Sequence, residues 1–289
     1  MSPEGRDRIT GRQLGALALT AARVPIYGHC VRVSWLWVLL GSLGAAALLS
    51  ALTALLNRSA GPRAAGAGAI ALELPAGLLL PALALGAAWE GTKAFPETEG
   101  RILAAALLLA LALWAACQGP AAAGRCGGIL VWITGALCGA VLLFSLPQLR
   151  LSRLSPAGSP LDSLGVLGRM LLPGAIILIK VKSPDLRVPH WPWWLSALEA
   201  TAAALVTGGI LSPALAAEPG AFRTLARGVS VLGVIRRFEA LVNAALLMNA
   251  FCLCALLLAA AGALMAGKGP KIGEGARPKK FFEKREKRS

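Results

Sequence analysis

The sequence predicts an all-α integral membrane protein with about eight transmembrane helices. Two observations carry this. The 289 residues are 56% hydrophobic and only 15% charged, against roughly 25% charged in soluble domains. The apolar residues also come in blocks of about 18 or more rather than at amphipathic spacing, which is the pattern of membrane spans. Within lipid every backbone polar group must be satisfied internally, so spans are helices or closed barrels. Runs such as Val33–Leu56, free of charge throughout, are too long and continuous for the alternating strands of a barrel.

The segments follow in order. The first, Gln13–Val33, is the poorest, interrupted by Arg23, Pro25, Gly28 and Arg32. Val33–Leu56 is the second. A Gly-rich connector from Asn57 to Gly68 carries Arg58 and Arg63, and the third segment is Ala69–Trp89, with Glu73 near its start. The loop Glu90–Arg101 leads to the fourth, Ile102–Cys117, and Gln118–Gly128 is expected to be a turn. The fifth is Ile129–Leu146. A loop with Arg150, Arg153 and Asp162 precedes the sixth, Leu164–Ile179, which contains Arg169 and is broken by Leu172-Pro173-Gly174. A basic loop (Lys180, Lys182, Arg187) ends in Trp191-Pro-Trp-Trp194, suited to an interfacial aromatic belt. Trp193–Leu215, with Glu199, is the seventh, and Val234–Met265 the eighth. The chain thus divides into a transmembrane domain, 1–266, and a basic tail, 267–289, with nine Lys and Arg.

Lys and Arg mark cytoplasmic loops. The N-terminus, the second-to-third connector, the sixth-to-seventh loop and the tail are all basic. Eight spans put these on one face, with both termini cytoplasmic. The loop with Arg150 and Arg153 is the exception. The net charge of +15 and pI near 10.5 therefore reflect membrane flanks, not nucleic-acid binding. The polar start, Met1–Thr10, and the weak stretch after it predict no cleaved signal peptide. Six cysteines imply no disulfide framework, and Cys252 and Cys254 read as small packing residues.

No catalytic triad, P-loop or metal-ligand cluster is present, and His29 and His190 lie far apart. The expectation is neither an enzyme nor a cofactor protein. Two features are more informative. Proline with glycine inside a span frees backbone groups that a neighbour or a solute must satisfy. Transporters build midplane sites from such broken helices. The sixth span has such a break, and Pro25-Ile26-Tyr27-Gly28 gives the first a similar weakness. Proline kinks are also common in membrane helices, so the break alone leaves both readings open. The second feature is charge within spans: Glu73, Arg169, Glu199 and Glu239. Glu73, Glu239 and the pair Arg236–Arg237 read as interfacial, whereas Arg169, one turn before the break, faces the same cavity as the break.

In order, the segments resemble the B subunit of endospore germinant receptors, the spore germination permeases of the amino acid–polyamine–organocation transporter superfamily. Ile9-Thr-Gly-Arg-Gln13 is similar to that family's polar lead into the first span. Phe95-Pro-Glu-Thr98 resembles the turn before the fourth, and Gln118-Gly with Arg125 the fourth-to-fifth connection. Leu149–Pro156 resembles its Asn-Leu-x-Pro loop without the Asn. Gly233-Val-Ile-Arg-Arg-Phe-Glu-Ala240 is similar to the Arg-Phe/Ile-Glu lead into the eighth, making Arg237, Phe238 and Glu239 a structural motif.

The resemblance implies a partial inverted-repeat fold and a location in the cell membrane or spore inner membrane. It implies A-type and C-type partner subunits. It also implies a small nutrient, such as an amino acid, sensed or transported between the first, third, sixth and eighth spans. The ligand-binding candidates are Pro25, Ile26, Tyr27, Gly28, Arg169, Leu172, Pro173 and Gly174. At the first-span break the chain has Val24-Pro-Ile-Tyr-Gly28 beside Arg23 in place of glycines. It has about eight spans where the family has about ten, so it is expected to be a shortened, diverged member. An amino acid permease and a degenerate structural subunit without ligand binding are the alternatives.

Overall fold

In a computed structural model, residues 10–58, 67–92, 98–154, 158–182, 187–211, 213–218, 220–229 and 238–265 are described. Among them there is no strand. The helices are α1 (Gly11–Gly28), α2 (Trp35–Arg58), α3 (Ala67–Gly91), α4 (Thr98–Cys117), α5 (Pro120–Ser145), α6 (Pro160–Met170), α7 (Ala175–Lys182), α8 (Trp191–Ile210), α9 (Pro213–Ala217), α10 (Ala221–Gly228) and α11 (Phe238–Met265).

Local chemistry sets several of these ends. Thr10 and Gln13 form a capping box at α1: the Gln13 N–H donates to Thr10 Oγ1 (3.3 Å) and the Thr10 N–H to Gln13 Oε1 (3.0 Å). Before α6, Gly158 takes φ +113. This is a left-handed conformation that favours glycine, and the Ser159 N–H then meets the Asp162 carboxylate at 2.9 Å. Gly119, at φ +91, precedes Pro120 at the first turn of α5.

Among the described residues six segments are long and apolar enough to cross a membrane: Gly11–Arg32, Trp35–Arg58, Glu99–Cys117, Ala121–Gln148, Pro160–Ile179 and Glu239–Met265. The segments expected to be third and seventh also fold as helices, α3 and α8. The surface fits this environment. Leu103, Leu107, Leu111 and Trp114 on α4 and Trp132 on α5 are 54–79% exposed together with Leu113 and Ile102. A continuous shell of exposed leucine and tryptophan belongs in acyl chains, not water. The chain is a polytopic helical membrane protein.

Burial is uneven. α1 is buried along most of its length, whereas most of α4 and α5 is not. The first helix is therefore the axial one, packed on α5, α8 and α11, while α11 also holds α3, α4 and α7. α2 packs on α8 and α6. Small residues permit the close approach, as is usual between membrane helices. A Cβ at Gly127 on α5 would stand 2.7 Å from Leu17 Cα of α1, and one at Gly15 would stand 2.8 Å from the Trp191 ring.

Neighbouring ends show how the helices alternate. Asn57, at the end of α2, donates to the Val188 carbonyl (3.0 Å), just before α8. At the opposite end, Arg32 donates to the Ala217 carbonyl of α9 (3.1 Å). α10 lies across that end: Phe222 and Leu225 point inward and are buried, and Arg227 points out to pair with Glu239.

Several expectations need correction. α5 begins at Pro120, so the turn expected over 118–128 shrinks to Gln118–Gly119. α8 ends at Ile210 rather than Leu215, and α9 follows as a separate short helix. The first span is not opened at Pro25. α1 runs through it to Gly28, and the His29 N–H still reaches the Pro25 carbonyl at 3.0 Å. The change of direction comes after His29, in a 3-10 turn over Cys30–Arg32. The break in the sixth span is present: a 3-10 turn over Leu172–Gly174 separates α6 from α7.

Candidate functional site

An open cleft and an ion-pair network bear on the residues singled out in the sequence. The cleft, about 340 Å³, lies between α1, α3 and α6. Pro25, Gly28 and His29 form one wall, Gly86, Trp89 and Glu90 another, and Arg169 with Leu172 the third. Gly86 leaves its side open, since a Cβ there would meet nothing within 4 Å. At the rim, the Arg101 guanidinium stacks on the Trp89 ring 3.7 Å from its centroid and donates to the Trp89 carbonyl at 3.2 Å.

The structure thus brings four of the eight candidate residues, Pro25, Gly28, Arg169 and Leu172, to one cavity. The other four point elsewhere. Ile26 (0% exposed) and Tyr27 (3%) are in the core, because successive residues on a helix diverge by about 100°. Pro173 is buried, and Gly174 packs against the Leu49 side chain. Arg237 lies outside the described residues, and Phe238 begins α11. Glu239 bonds the Arg227 Nε at 2.7 Å. That bond raises the pKa of Arg227, while burial lowers that of Arg223 on the same helix.

Arg169 is exposed and stands in the cleft beside the ends of α1 (Gly28, His29) and of α3 (Trp89, Glu90). Among the described residues none pairs with it or accepts a hydrogen bond from it. An arginine in or near a span meets a counter-charge, a wet cavity or the headgroup interface. Glu90 is the acidic group of the same cleft.

The network is where α1, α5 and α8 meet. Arg23 and Tyr27 are one turn apart on α1 and so share a face. The Arg23 Nε donates to Glu199 Oε1 of α8 at 2.9 Å, and the Tyr27 hydroxyl donates to the same oxygen at 2.7 Å. On α5, Arg23 Nη1 reaches the Val131 carbonyl (2.8 Å) and Thr134 Oγ1 (2.7 Å). Thr134 gives its own proton to the Leu130 carbonyl at 2.8 Å, so its lone pairs are free to accept. Gly135 makes room: a Cβ there would stand 2.7 Å from Arg23 Nη2. The Tyr27 ring packs on Phe222 of α10 at 4.2 Å between centroids.

Arg23 is 5% exposed, and its charge is balanced within the protein. This network ties three helices together. Sequence reasoning marked Glu199 as an intramembrane charge but took Arg23 as an interruption. The usable signal was two opposite charges in otherwise apolar segments, one with a tyrosine four residues on.

Cys252 and Cys254 are buried, and Cys254 Sγ donates to the Ala84 carbonyl at 3.3 Å, in keeping with packing. Among the described residues no group of three His, Cys, Asp or Glu side chains could hold a metal ion. No protein-family model matches the chain, and no curated protein does.

Proposed function

We propose that this chain is a membrane receptor subunit similar to the B subunit of spore germinant receptors, which takes a small nutrient such as an amino acid into the cleft between α1, α3 and α6. One observation supports the reading most: Pro25, Gly28, Arg169 and Leu172, chosen from sequence, line a single cavity. In this reading Arg169 meets the nutrient carboxylate. The chain spans the membrane about eight times with both termini cytoplasmic, in the cell membrane or the spore inner membrane, beside A-type and C-type partners. The decisive experiment is germination of a deletion strain complemented with wild type or Arg169→Gln. Loss of response to at least one nutrient, with the variant still present in the membrane, is the expected result. Unchanged germination on every nutrient and unchanged partner levels would overturn the proposal.

A second reading, a structural subunit without a ligand, is favoured by the intact course of α1 through Pro25. It predicts that partners co-purify with the chain while no nutrient binds. A third, a permease, predicts amino acid flux into proteoliposomes, and absence of flux for any amino acid counts against it.

A further inference from the structure

A second cavity, about 350 Å³, adjoins the cleft, and Leu83 and Leu172 line both. Its walls are aliphatic side chains and glycine, among them Leu48, Leu52, Leu178 and Leu257, with no polar side chain. Leu48 and Leu52 are 47% and 40% exposed, so the groove opens at the periphery of the bundle. It runs between α3, which packs on α11, α4 and α1, and α2, which packs on α8 and α6. At the junction, Gly168 lines the groove and its neighbour Arg169 lines the cleft.

These features fit one kind of occupant. A polar solute gains nothing from the groove, which offers no donor or acceptor side chain. A methylene chain fills it without leaving any polar group unsatisfied. Arg169 stands in the cleft beside the ends of α1 (Gly28, His29) and of α3 (Trp89, Glu90), where helix ends meet the headgroup region, and its guanidinium fork matches the oxygens of a phosphate. We infer that the groove and the base of the cleft bind one anionic phospholipid of the surrounding bilayer, with its phosphate on Arg169 and an acyl chain along Leu83, Leu172, Leu52 and Leu178. The inference stands on the two cavities and Arg169, whatever nutrient the cleft takes. A nutrient carboxylate using Arg169 would have to displace the lipid phosphate.

The test uses the purified full-length protein in micelles with equal phosphatidylglycerol and phosphatidylcholine, and reads retained lipid by native mass spectrometry. Wild type should retain phosphatidylglycerol in preference. Arg169→Gln should lower that preference about tenfold, the scale of one charge-assisted contact, whereas Arg150→Gln, in the exposed loop before α6, should not. Leu178→Trp and Leu52→Trp each fill the groove, which these two residues line without lining the cleft, and a folded variant of either should lose the retained lipid. Equal retention by wild type and Arg169→Gln overturns the inference, as does retention that survives both filled grooves. If germination is lost in Arg169→Gln while lipid retention is unchanged, the lipid site is refuted and the nutrient reading stands.

Discussion

Replacing Glu199 by alanine tests the energetic claim made for the α1–α5–α8 junction. In the native protein Glu199 Oε1 accepts from Arg23 at 2.9 Å and from Tyr27 at 2.7 Å. After the substitution Arg23 keeps the Val131 carbonyl and Thr134, both on α5, but has no counter-charge. Removing one partner of a buried pair costs about 3–5 kcal/mol, because the other charge is left unbalanced. Single interhelical hydrogen bonds in membranes average only about 0.6 kcal/mol, so the charge decides the size of the effect. The expected loss for Glu199→Ala is about 3 kcal/mol. Replacing both partners by apolar residues, Arg23→Met with Glu199→Leu, should restore most of it, since buried pairs and apolar substitutes of similar volume differ little. The double-mutant cycle built from Arg23→Met, Glu199→Leu and the two together then gives a coupling of about 2–3 kcal/mol. Unfolding by SDS in mixed micelles, followed by circular dichroism, measures each term. A loss under about 1 kcal/mol for Glu199→Ala, or no coupling in the cycle, would refute the reasoning.

Other expectations follow from particular contacts. Gly127→Leu forces a side chain against the backbone of Leu17 and should destabilise the protein by at least about 1–3 kcal/mol in the same assay; a neutral result would mean that α1 and α5 are not in this contact. Pro25→Ala should leave the unfolding midpoint equal or higher, because α1 is already helical there and alanine restores an N–H donor. A large loss of stability would show that Pro25 holds a needed kink. Trp193→Phe removes the indole N–H that reaches Thr53 Oγ1 at 3.2 Å, at about 1 kcal/mol, read as a lowered midpoint with an unchanged far-ultraviolet spectrum. For topology, with Cys117 and Cys126 replaced by serine, an impermeant maleimide should label Ser152→Cys on intact cells but Arg58→Cys only after permeabilisation. The reverse pattern would invert the proposed orientation.

What could be read in advance followed the range of the interactions. The apolar blocks became helices because a bilayer leaves the backbone no other economy of hydrogen bonds. The turn at Leu172–Gly174 was legible because proline and glycine act on their own backbone. The reading of residues 118–128 as a turn failed for the converse reason. Gly124, Gly127 and Gly128 look like breakers in isolation, yet Gly127 lies inside α5, where its missing side chain admits Leu17. Pro25 misled in the same way, since packing on α5, α8 and α11 holds α1 helical around it. The network was hidden by distance, with Arg23 and Glu199 separated by 176 positions, a pairing that no local pattern reveals. The cleft was half visible: helix direction divides Pro25 and Gly28 from Ile26 and Tyr27, and only the packing of α1 decides which pair faces the cavity.

The axial position of α1 bears on how the protein is assembled. It is synthesised before the other helices and has the lowest mean hydropathy of the six segments, 1.2 against 1.6–2.3. Arg23 stands in its interior, and the carboxylate that balances it is made 176 residues later. When α1 leaves the ribosome, neither Thr134 nor Glu199 exists, so the helix meets lipid with an uncompensated guanidinium. Its settled position depends on α5 and then α8, which places the last stage of folding at the N-terminus. Truncation after α7 would leave Arg23 without its anion, and such a chain is a natural substrate for membrane quality control.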